Sequence, residues 1–380
     1  MHRPLGYLAL LAALAMSCGA SAEPDVVLGA VYNLTGSQAG LDIPSSRGAR
    51  LAADEANRKG GVLGRMVDLV VVDGETAPEV IVERTGALFD THPMVTALLG
   101  LSDTDMLLAA APVAARHGRL FVTSGATSPE LPAEVPTYLF LACFGDNVQA
   151  AAGAEWAYGR RGARTAVVLF NATMSYAQLL HGYFETRFRE LGGKVLLSRG
   201  YAPGSYDEAL ADLPAADIIY VAAGPEDAVA MTALIRQNGI ATPVLGGDGF
   251  DSEGPWQGHP DIDAVYFTTH AYLGADNTDP KVIAFRDAFA KAYPGDEPDA
   301  FAALGYDTVN LLLAAVARAG SDDPADVLSA LPGVRLEGVT GSLSYQDGSR
   351  IPTKSVSIVE ISGGARHFLG SLLPTRIPPP

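Results

Sequence analysis

The chain has 380 residues, and 26 Lys and Arg against 43 Asp and Glu give it a formal net charge of −17. Its 48% hydrophobic content excludes an intrinsically disordered protein, and its length is that of two or three domains with sizeable cores. A charge this negative opposes contact with nucleic-acid phosphates and anionic lipid headgroups, so no nucleic-acid partner is expected. Two cysteines are too few for a disulfide framework or a cysteine-based zinc site.

Residues 1–22 are predicted to be a secretory signal peptide. His2 and Arg3 give a positive start, residues 5–16 form an apolar run, and Ala20-Ser21-Ala22 supplies small residues at the cleavage site. The apolar run is shorter than the roughly 20 residues that a transmembrane helix needs. The mature chain is therefore expected to begin at residue 23 and to be exported.

Cys18 offers a second, less favoured route of export, in which the chain becomes a lipoprotein anchored through that residue. A lipobox usually has Leu three residues before the cysteine, and this chain has Ala15 there. If Cys18 is removed with the signal peptide, Cys143 is left alone and no intrachain disulfide can form.

After the signal peptide, hydrophobic periodicity predicts strands that alternate with helices. Continuous apolar runs indicate strands buried on both faces, and apolar residues at helical spacing indicate the helices between them. The first predicted series is strand Val26–Tyr32, helix Ser45–Asn57, strand Val67–Val72, helix Pro78–Phe89, strand Val95–Leu99, helix Asp105–Arg116 and strand Leu120–Val122. This alternation predicts a parallel sheet with helices on both faces.

A second, similar series follows, so the sequence predicts an α/β protein with two lobes. Its elements are helix Asn147–Tyr158, strand Thr165–Leu169, helix Ser175–Leu191, strands Val195–Ser198 and Asp217–Val221, helix Glu226–Asn238, and strands Pro243–Leu245 and Val265–Thr268. The chain ends with helices Pro280–Tyr293 and Ala300–Ala319, antiparallel-looking strands Gly341–Tyr345 and Ser355–Glu360, and a proline-rich tail at 377–380 that we expect to be frayed.

Sequence motifs of the common enzyme classes are missing. The chain has no G-x-x-x-x-G-K-[ST] phosphate loop, no G-x-G-x-x-G after a strand, no G-x-S-x-G elbow and no H-E-x-x-H. The histidines of the mature chain share no metal-ligand spacing and are predicted to be surface or loop residues: His92, His117, His181, His259, His270 and His367. We therefore expect a protein without enzymatic activity, cofactor or metal.

Polar loops follow several of the predicted strands, at the edge of a parallel sheet where ligands usually bind. Ser102 and Thr104 follow one strand and Thr127 follows the next, so their hydroxyls and the nearby amides could hold a carboxylate or could simply cap helices. Asp248 lies between glycines after a later strand, where it could approach an ammonium group or form a turn.

Several stretches, in this order, resemble one known family. They are Val26-Val27-Leu28-Gly29-Ala30-Val31-Tyr32-Asn33-Leu34-Thr35-Gly36, Gly48-Ala49-Arg50, Ala56-Asn57-Arg58-Lys59-Gly60-Gly61-Val62-Leu63-Gly64 and Thr123-Ser124-Gly125-Ala126-Thr127-Ser128-Pro129-Glu130-Leu131. Over nearly its whole mature length the chain is similar to the periplasmic solute-binding proteins of branched-chain amino acid ABC transporters, such as the leucine/isoleucine/valine-binding protein.

The resemblance implies a two-lobed Venus-flytrap, the type I periplasmic binding fold, in which each lobe is a parallel sheet flanked by helices. On that template residues 23–145 plus 271–349 form lobe 1, and residues 146–270 plus 350–380 form lobe 2. Three hinge crossings are expected near residues 145, 270 and 350.

The resemblance also implies ligand-binding roles for particular residues. Thr104 and Thr127 would hold the ligand carboxylate beside Ser102, while Gly125 would offer its carbonyl to the ammonium group. Asp248 would bind the ammonium from across the cleft, and Tyr176 would line the second lobe.

The chain departs from the leucine-binding pattern at two aromatic positions. Leu41 stands in the first loop and Gly224 on the second lobe, so a wider or differently shaped side-chain pocket is expected. Phe250 and Tyr306 could line that pocket or belong to the core.

By this resemblance the protein is expected to be the substrate-binding component of an ABC importer in the periplasm. It would capture a small amino acid, an aromatic or aliphatic carboxylate, or an amide by hinge closure, and its partner would be an ABC permease in the inner membrane. The alternative is a periplasmic sensing module of the same fold that detects an amide or an aromatic acid.

Overall fold

The computed structural model describes residues 25–252, 256 and 258–380, so the predicted signal peptide, its cleavage site and Cys18 lie outside the described residues. The first part of the chain alternates strands with helices. Its strands are β1 (Val26–Tyr32), β2 (Val67–Asp73), β3 (Ala97–Gly100), β4 (Leu120–Thr123) and β5 (Leu139–Leu141), and its helices are α1 (Ala39–Arg58), α2 (Pro78–Thr91), α3 (Thr104–Arg116) and α4 (Leu131–Glu134). The strands form a parallel five-stranded sheet in the order β2-β1-β3-β4-β5.

The next part of the chain builds most of a second sheet. Its helices are α5 (Asp146–Gly159), α6 (Ser175–Glu190), α7 (Tyr206–Leu210) and α8 (Pro225–Gln237). Its strands are β6 (Thr165–Asn171), β7 (Lys194–Tyr201), β8 (Ile218–Ala222), β9 (Val244–Gly246) and β10 (Val265–Thr269), all parallel to their neighbours among these five.

The last part of the chain returns to the first sheet and then completes the second. The returning elements are α9 (Pro280–Ala292), α10 (Ala300–Ala319), α11 (Pro324–Ala330) and a hairpin of β11 (Arg335–Gly338) and β12 (Gly341–Ser344). The final strands, β13 (Val356–Ser362) and β14 (Ala365–Leu372), are antiparallel and extend the second sheet to the order β14-β13-β10-β9-β8-β6-β7. This is the α/β architecture of parallel sheets flanked by helices that the sequence predicts.

Hydrophobic clusters cover both faces of each sheet, which explains why the strands are continuous apolar runs. Helix α10 packs along α1 and contributes Val309, Leu312 and Val316 to the core of the first sheet. By length and composition α10 could cross a membrane, yet 78% of its most apolar 18-residue stretch is buried inside the protein. It is a core helix.

Helices α1 and α10 approach each other at two glycines. A Cβ atom at Gly48 would lie 1.8 Å from the carbonyl oxygen of Ala302, and one at Gly305 would lie 1.9 Å from the carbonyl oxygen of Ser45. No side chain fits at either position, so the helix crossing depends on both glycines.

The chain passes between the two sheets three times, after β5, after β10 and after β12, and the first and third connections contact each other. The Leu141 amide donates to the carbonyl of Arg350 (3.0 Å), and the Tyr345 hydroxyl donates to the carbonyl of Leu141 (2.8 Å). Lys354 is buried here, and its Nζ donates to the carbonyl of Ala142 (3.2 Å). These bonds hold the connections side by side.

The structure differs from the predicted elements in three ways. Helix α1 starts at Ala39, before Pro44, although proline has no backbone N–H to donate. The buried Asp42 carboxylate in its first turn accepts from the Asn33 amide (2.8 Å) and holds this turn against the loop after β1. Strands β5, β11 and β14 and the short helices α4, α7 and α11 were not predicted, since they are short or have exposed faces. The tail is not frayed, because the carbonyl of Pro378 accepts from Asn147 Nδ2 (2.9 Å).

Candidate ligand-binding site

Loops from both sheets meet in a cleft at the carboxyl ends of the parallel strands. They enclose a cavity lined by Gln38, Leu41, Ser102, Asp103, Thr127, Met174, Tyr176, Gly224, Pro225, Asp248, Gly249 and Phe301. Two larger grooves, of about 480 and 580 Å³, lie beside Arg366 and along β14. The smaller cavity is the candidate site, because only the switch from strand to loop in parallel sheets brings free amides and polar side chains together in this way.

The cleft is closed in this structure. The cavity holds about 20 Å³, which is close to the space of one water molecule. The Asp105 carboxylate of α3 accepts from the Ser175 amide at the first turn of α6 (3.1 Å), so a side chain from one half caps a helix of the other. Entry of any amino-acid-sized ligand therefore requires the halves to separate.

Asp248 is the best-supported anionic group of the cavity. It lies in a 3-10 turn directly after β9, and Gln149 Nε2 (2.7 Å) and the Tyr176 hydroxyl (2.8 Å) both donate to its Oδ1. His270 Nε2 donates to its Oδ2 (3.0 Å). Burial lowers the pKa of His270, so this imidazole is held neutral and does not cancel the charge. One lone pair of Oδ2 remains for a further donor.

Three more buried carboxyl groups surround the cleft. Burial, together with the charge of Asp248, raises the pKa of Asp146 to about 8, and burial raises that of Asp42 to about 7. Burial also raises the pKa of Asp103 to about 6, with a contribution from Asp105. The cleft is therefore acidic and partly protonated near neutral pH.

These pKa values predict that stability falls between about pH 6.5 and pH 8. A carboxyl group whose pKa is higher in the folded than in the unfolded state stabilises the fold at low pH and loses that contribution as pH rises through the folded pKa, about 7 for Asp42 and about 8 for Asp146. His270 acts in the opposite sense only below about 6.5, and Lys354, whose pKa burial lowers to about 8, only above that value. We expect a loss of about 1 to 2 kcal/mol in the free energy of unfolding across this window.

Urea unfolding at the two ends of the window measures this change. Asp146→Asn is expected to flatten the dependence, because it removes the group with the highest of these carboxyl pKa values. Stability that rises with pH across the window would contradict the assignment.

The structure brings five of the sequence-predicted site residues to the cavity: Leu41, Ser102, Thr127, Tyr176 and Asp248. Leu41 is in the first turn of α1, although a loop was predicted, because the helix begins earlier than expected. Thr104 and Gly125 do not line the cavity. Thr104 Oγ1 is buried behind Ser102 and Asp103 without a hydrogen-bond partner among the described residues, and Gly125 packs against Ser102 and Phe301.

The structure decides two further expectations, those for His270 and for the pair Phe250 and Tyr306. His270 is buried against Asp248 and stacks on Phe144 (3.8 Å between ring centroids), so it is not a surface histidine. Phe250 is fully buried in the core of the second sheet, and Tyr306 donates to Glu55 outside the cavity. At Gly224, Met174 fills part of the space beside the glycine, with its Sδ 3.2 Å from where a Cβ would be.

Sequence reasoning missed Gln38, Asp103, Gln149, Met174, His270 and Phe301. Asp103 and His270 carried a usable signal, since each is a polar residue close behind a buried strand. Gln149 carried none, because α5 is buried on nearly every side and offers no polar face that marks one residue. Gln149 is also 99 residues from Asp248 in the chain.

Comparison with known proteins shows what the chain is similar to. It is 26% identical to the Leu/Ile/Val-binding protein BraC3 of Rhizobium johnstonii, over 90% of this chain and 93% of that protein. Its fold matches the branched-chain amino acid transporter substrate-binding protein LivJ of Streptococcus pneumoniae, solved in complex with isoleucine, with a TM-score of 0.83 and 26% identity over 92% of this chain and 99% of that one. It also matches the leucine-binding protein LivK of Thermotoga maritima, with a TM-score of 0.82 and 28% identity over 92% and 99% of the two chains.

The model of one protein family matches residues 25–365, which is nearly the whole of the described chain. The match includes every strand of both sheets except β14, together with the loops that form the cavity. The chain belongs to the periplasmic binding protein family.

Proposed function

We propose that this protein is the substrate-binding component of an ABC importer and that it captures a small amino acid, or a related amide or carboxylate, in the interlobe cleft. The observation that carries the proposal is Asp248, a buried carboxylate held by three donors on one half of the cleft, opposite Ser102 and Thr127 on the other half. The transport role is supported by LivJ, which is named as a branched-chain amino acid transporter substrate-binding protein, and the amino-acid ligand by BraC3 and LivK, which are named as Leu/Ile/Val-binding and leucine-binding proteins.

Binding proceeds by hinge closure in this proposal. Residues 23–145 plus 271–349 move as lobe 1 and residues 146–270 plus 350–380 as lobe 2, about the crossings near 145, 270 and 350. The ligand first meets Ser102 and Thr127 on lobe 1, and closure then brings Asp248 and Tyr176 over it. Charge-assisted hydrogen bonds gain strength as water leaves the cleft, so the ligand favours the closed state.

The partners follow from this role. An inner-membrane ABC permease would receive the ligand from the closed protein, and export through the predicted signal peptide would bring the protein to the periplasm. The cleft would bind its ligand without chemical change, so we propose no enzymatic activity. A periplasmic sensing module of the same fold remains the alternative, but the names of the relatives do not favour it.

Thermal unfolding with and without candidate ligands tests the proposal. A ligand at about 100 times its Kd stabilises the fold by about 2.7 kcal/mol, so a true ligand is expected to raise the Tm by a few degrees. The panel contains amino acids, their amides, and aromatic and aliphatic carboxylates, and neutral sugars serve as the control. A shift with sugars, or no shift with any compound of the first three groups, would refute the proposed ligand class.

A further inference from the structure

Two carboxyl side chains line the cavity, one on each side of it. Asp248 faces the cavity from the second half and Asp103 from the first, and these residues are 3% and 5% exposed. Among the described residues that line the cavity, none is Lys, Arg or His. A ligand enclosed here meets a carboxylate at each end.

The orientation of Asp103 is set by its neighbours. Its Oδ1 accepts from the Met106 amide in the first turn of α3 (3.0 Å), and its Oδ2 accepts from Gln38 Nε2 (3.3 Å). The Met106 amide is one of the free donors with which a helix start would hold a ligand's carboxylate, and Asp103 already occupies it. A ligand carboxylate placed here would also face the charge of Asp103 without a cation between them.

Gln38 indicates independently that the ligand donates a hydrogen bond at the end of the cavity beside Asp103. Because its Nε2 binds Asp103, its Oε1 is the atom left over, and this buried oxygen has no hydrogen-bond partner among the described residues. A buried acceptor without a partner costs about 1–3 kcal/mol. An N–H group of a ligand between Gln38 and Asp103 would satisfy both side chains at once.

We infer that the cleft selects ligands with nitrogen donors at both ends, such as amino-acid amides, over free amino acids. This rests on the proposed binding function. The ammonium group of the ligand binds Asp248, and the amide N–H groups at the other end bind Asp103 and Gln38. Asp103 is thus a specificity-determining residue, because its carboxylate repels a ligand that carries a carboxylate at this end.

A matched set of compounds tests the inference. For the alanine, leucine and phenylalanine side chains, calorimetry at pH 7.0 compares the amino acid, its amide, the corresponding acid without the amino group, and the amide without the amino group. The wild-type protein is expected to bind each amino-acid amide at least about tenfold more tightly than the amino acid, a difference of about 1.4 kcal/mol.

Asp103→Asn is the discriminating variant. Asn caps a helix as well as Asp does, so the fold of α3 is preserved while the charge is lost. The variant is expected to reduce the preference for the amide over the acid by about tenfold or more, and to do so mainly by binding the acid more tightly. Asp54→Asn, on the exposed side of α1, is the matched control and should leave the ratio unchanged.

The outcomes separate the two proposals. Free amino acids that bind more tightly than their amides, or a ratio that Asp103→Asn does not change, would overturn the role of Asp103 and leave the amino-acid-binding function intact. If none of the compounds binds, both the inference and the proposed function are wrong.

Discussion

Asp248→Ala is expected to weaken binding of any ligand that carries an ammonium group by about 100-fold or more. This residue is 3% exposed and lines the cavity between the two halves, where an ammonium group would be cut off from water. Losing one partner of such a buried charge pair costs about 2–5 kcal/mol, and about 2.7 kcal/mol corresponds to a factor of 100. Calorimetric titration with the amino acid or amide that raises the Tm measures the change.

Asp248→Asn separates loss of charge from loss of packing, because it keeps the size of the side chain beside Gln149, Tyr176 and His270. We expect it to lose nearly as much affinity for ammonium ligands but little for the amide that lacks the amino group. Asp212→Asn, at an exposed position of the same half, controls for the overall charge. Unchanged affinity in both Asp248 variants would remove this residue from the binding site.

Gly305→Ala is expected to lower the free energy of unfolding by about 3 kcal/mol or more. Its new Cβ would lie 1.9 Å from the carbonyl oxygen of Ser45, a backbone atom that can move only if α1 shifts away from α10. Overpacking of a tight interior usually costs about 1–3 kcal/mol, and this site is at the upper end because the obstacle is backbone on a central helix. Urea unfolding gives the difference from wild type.

Gly86→Ala is the matched control. Gly86 lies within α2, and a Cβ there would meet nothing within 4 Å. Alanine should then stabilise the helix by up to about 1 kcal/mol, because it has a higher helix propensity than glycine. If Gly305→Ala were as stable as Gly86→Ala, the close approach of α1 and α10 would not be needed for stability.

The elements that were predicted well are those whose buried residues form a regular apolar pattern in the sequence. Strand β1 was predicted with the bounds it has, because its residues form a continuous apolar run and all of them except Val27 are buried. Strand β14 was missed because it is an edge strand whose side chains are mostly exposed, so no apolar alternation marks it. Helix α1 was predicted to begin at Ser45 and begins at Ala39, because contacts with residues of other segments stabilise its first turn.

The candidate site was predicted in part for the same reason. Ser102, Thr127 and Asp248 follow buried strands, and parallel sheets bring the ends of their strands together. Thr104 was expected in the cavity with them, but a helix turns each successive side chain by about a quarter of a turn. Asp103 therefore faces the cavity where Thr104 does not.

The amino-acid sequence by itself determined the α/β class, the succession of the main elements and the family, because strands buried on both faces and glycine-marked loops leave local patterns. Only the tertiary structure decided which polar groups meet in the cleft. Gln38 reaches Asp103 across 65 residues of chain, and Tyr176 and Gln149 reach Asp248 across 72 and 99. Contacts between such distant residues depend on the order in which the strands pair within each sheet, and no local pattern of residues encodes that order.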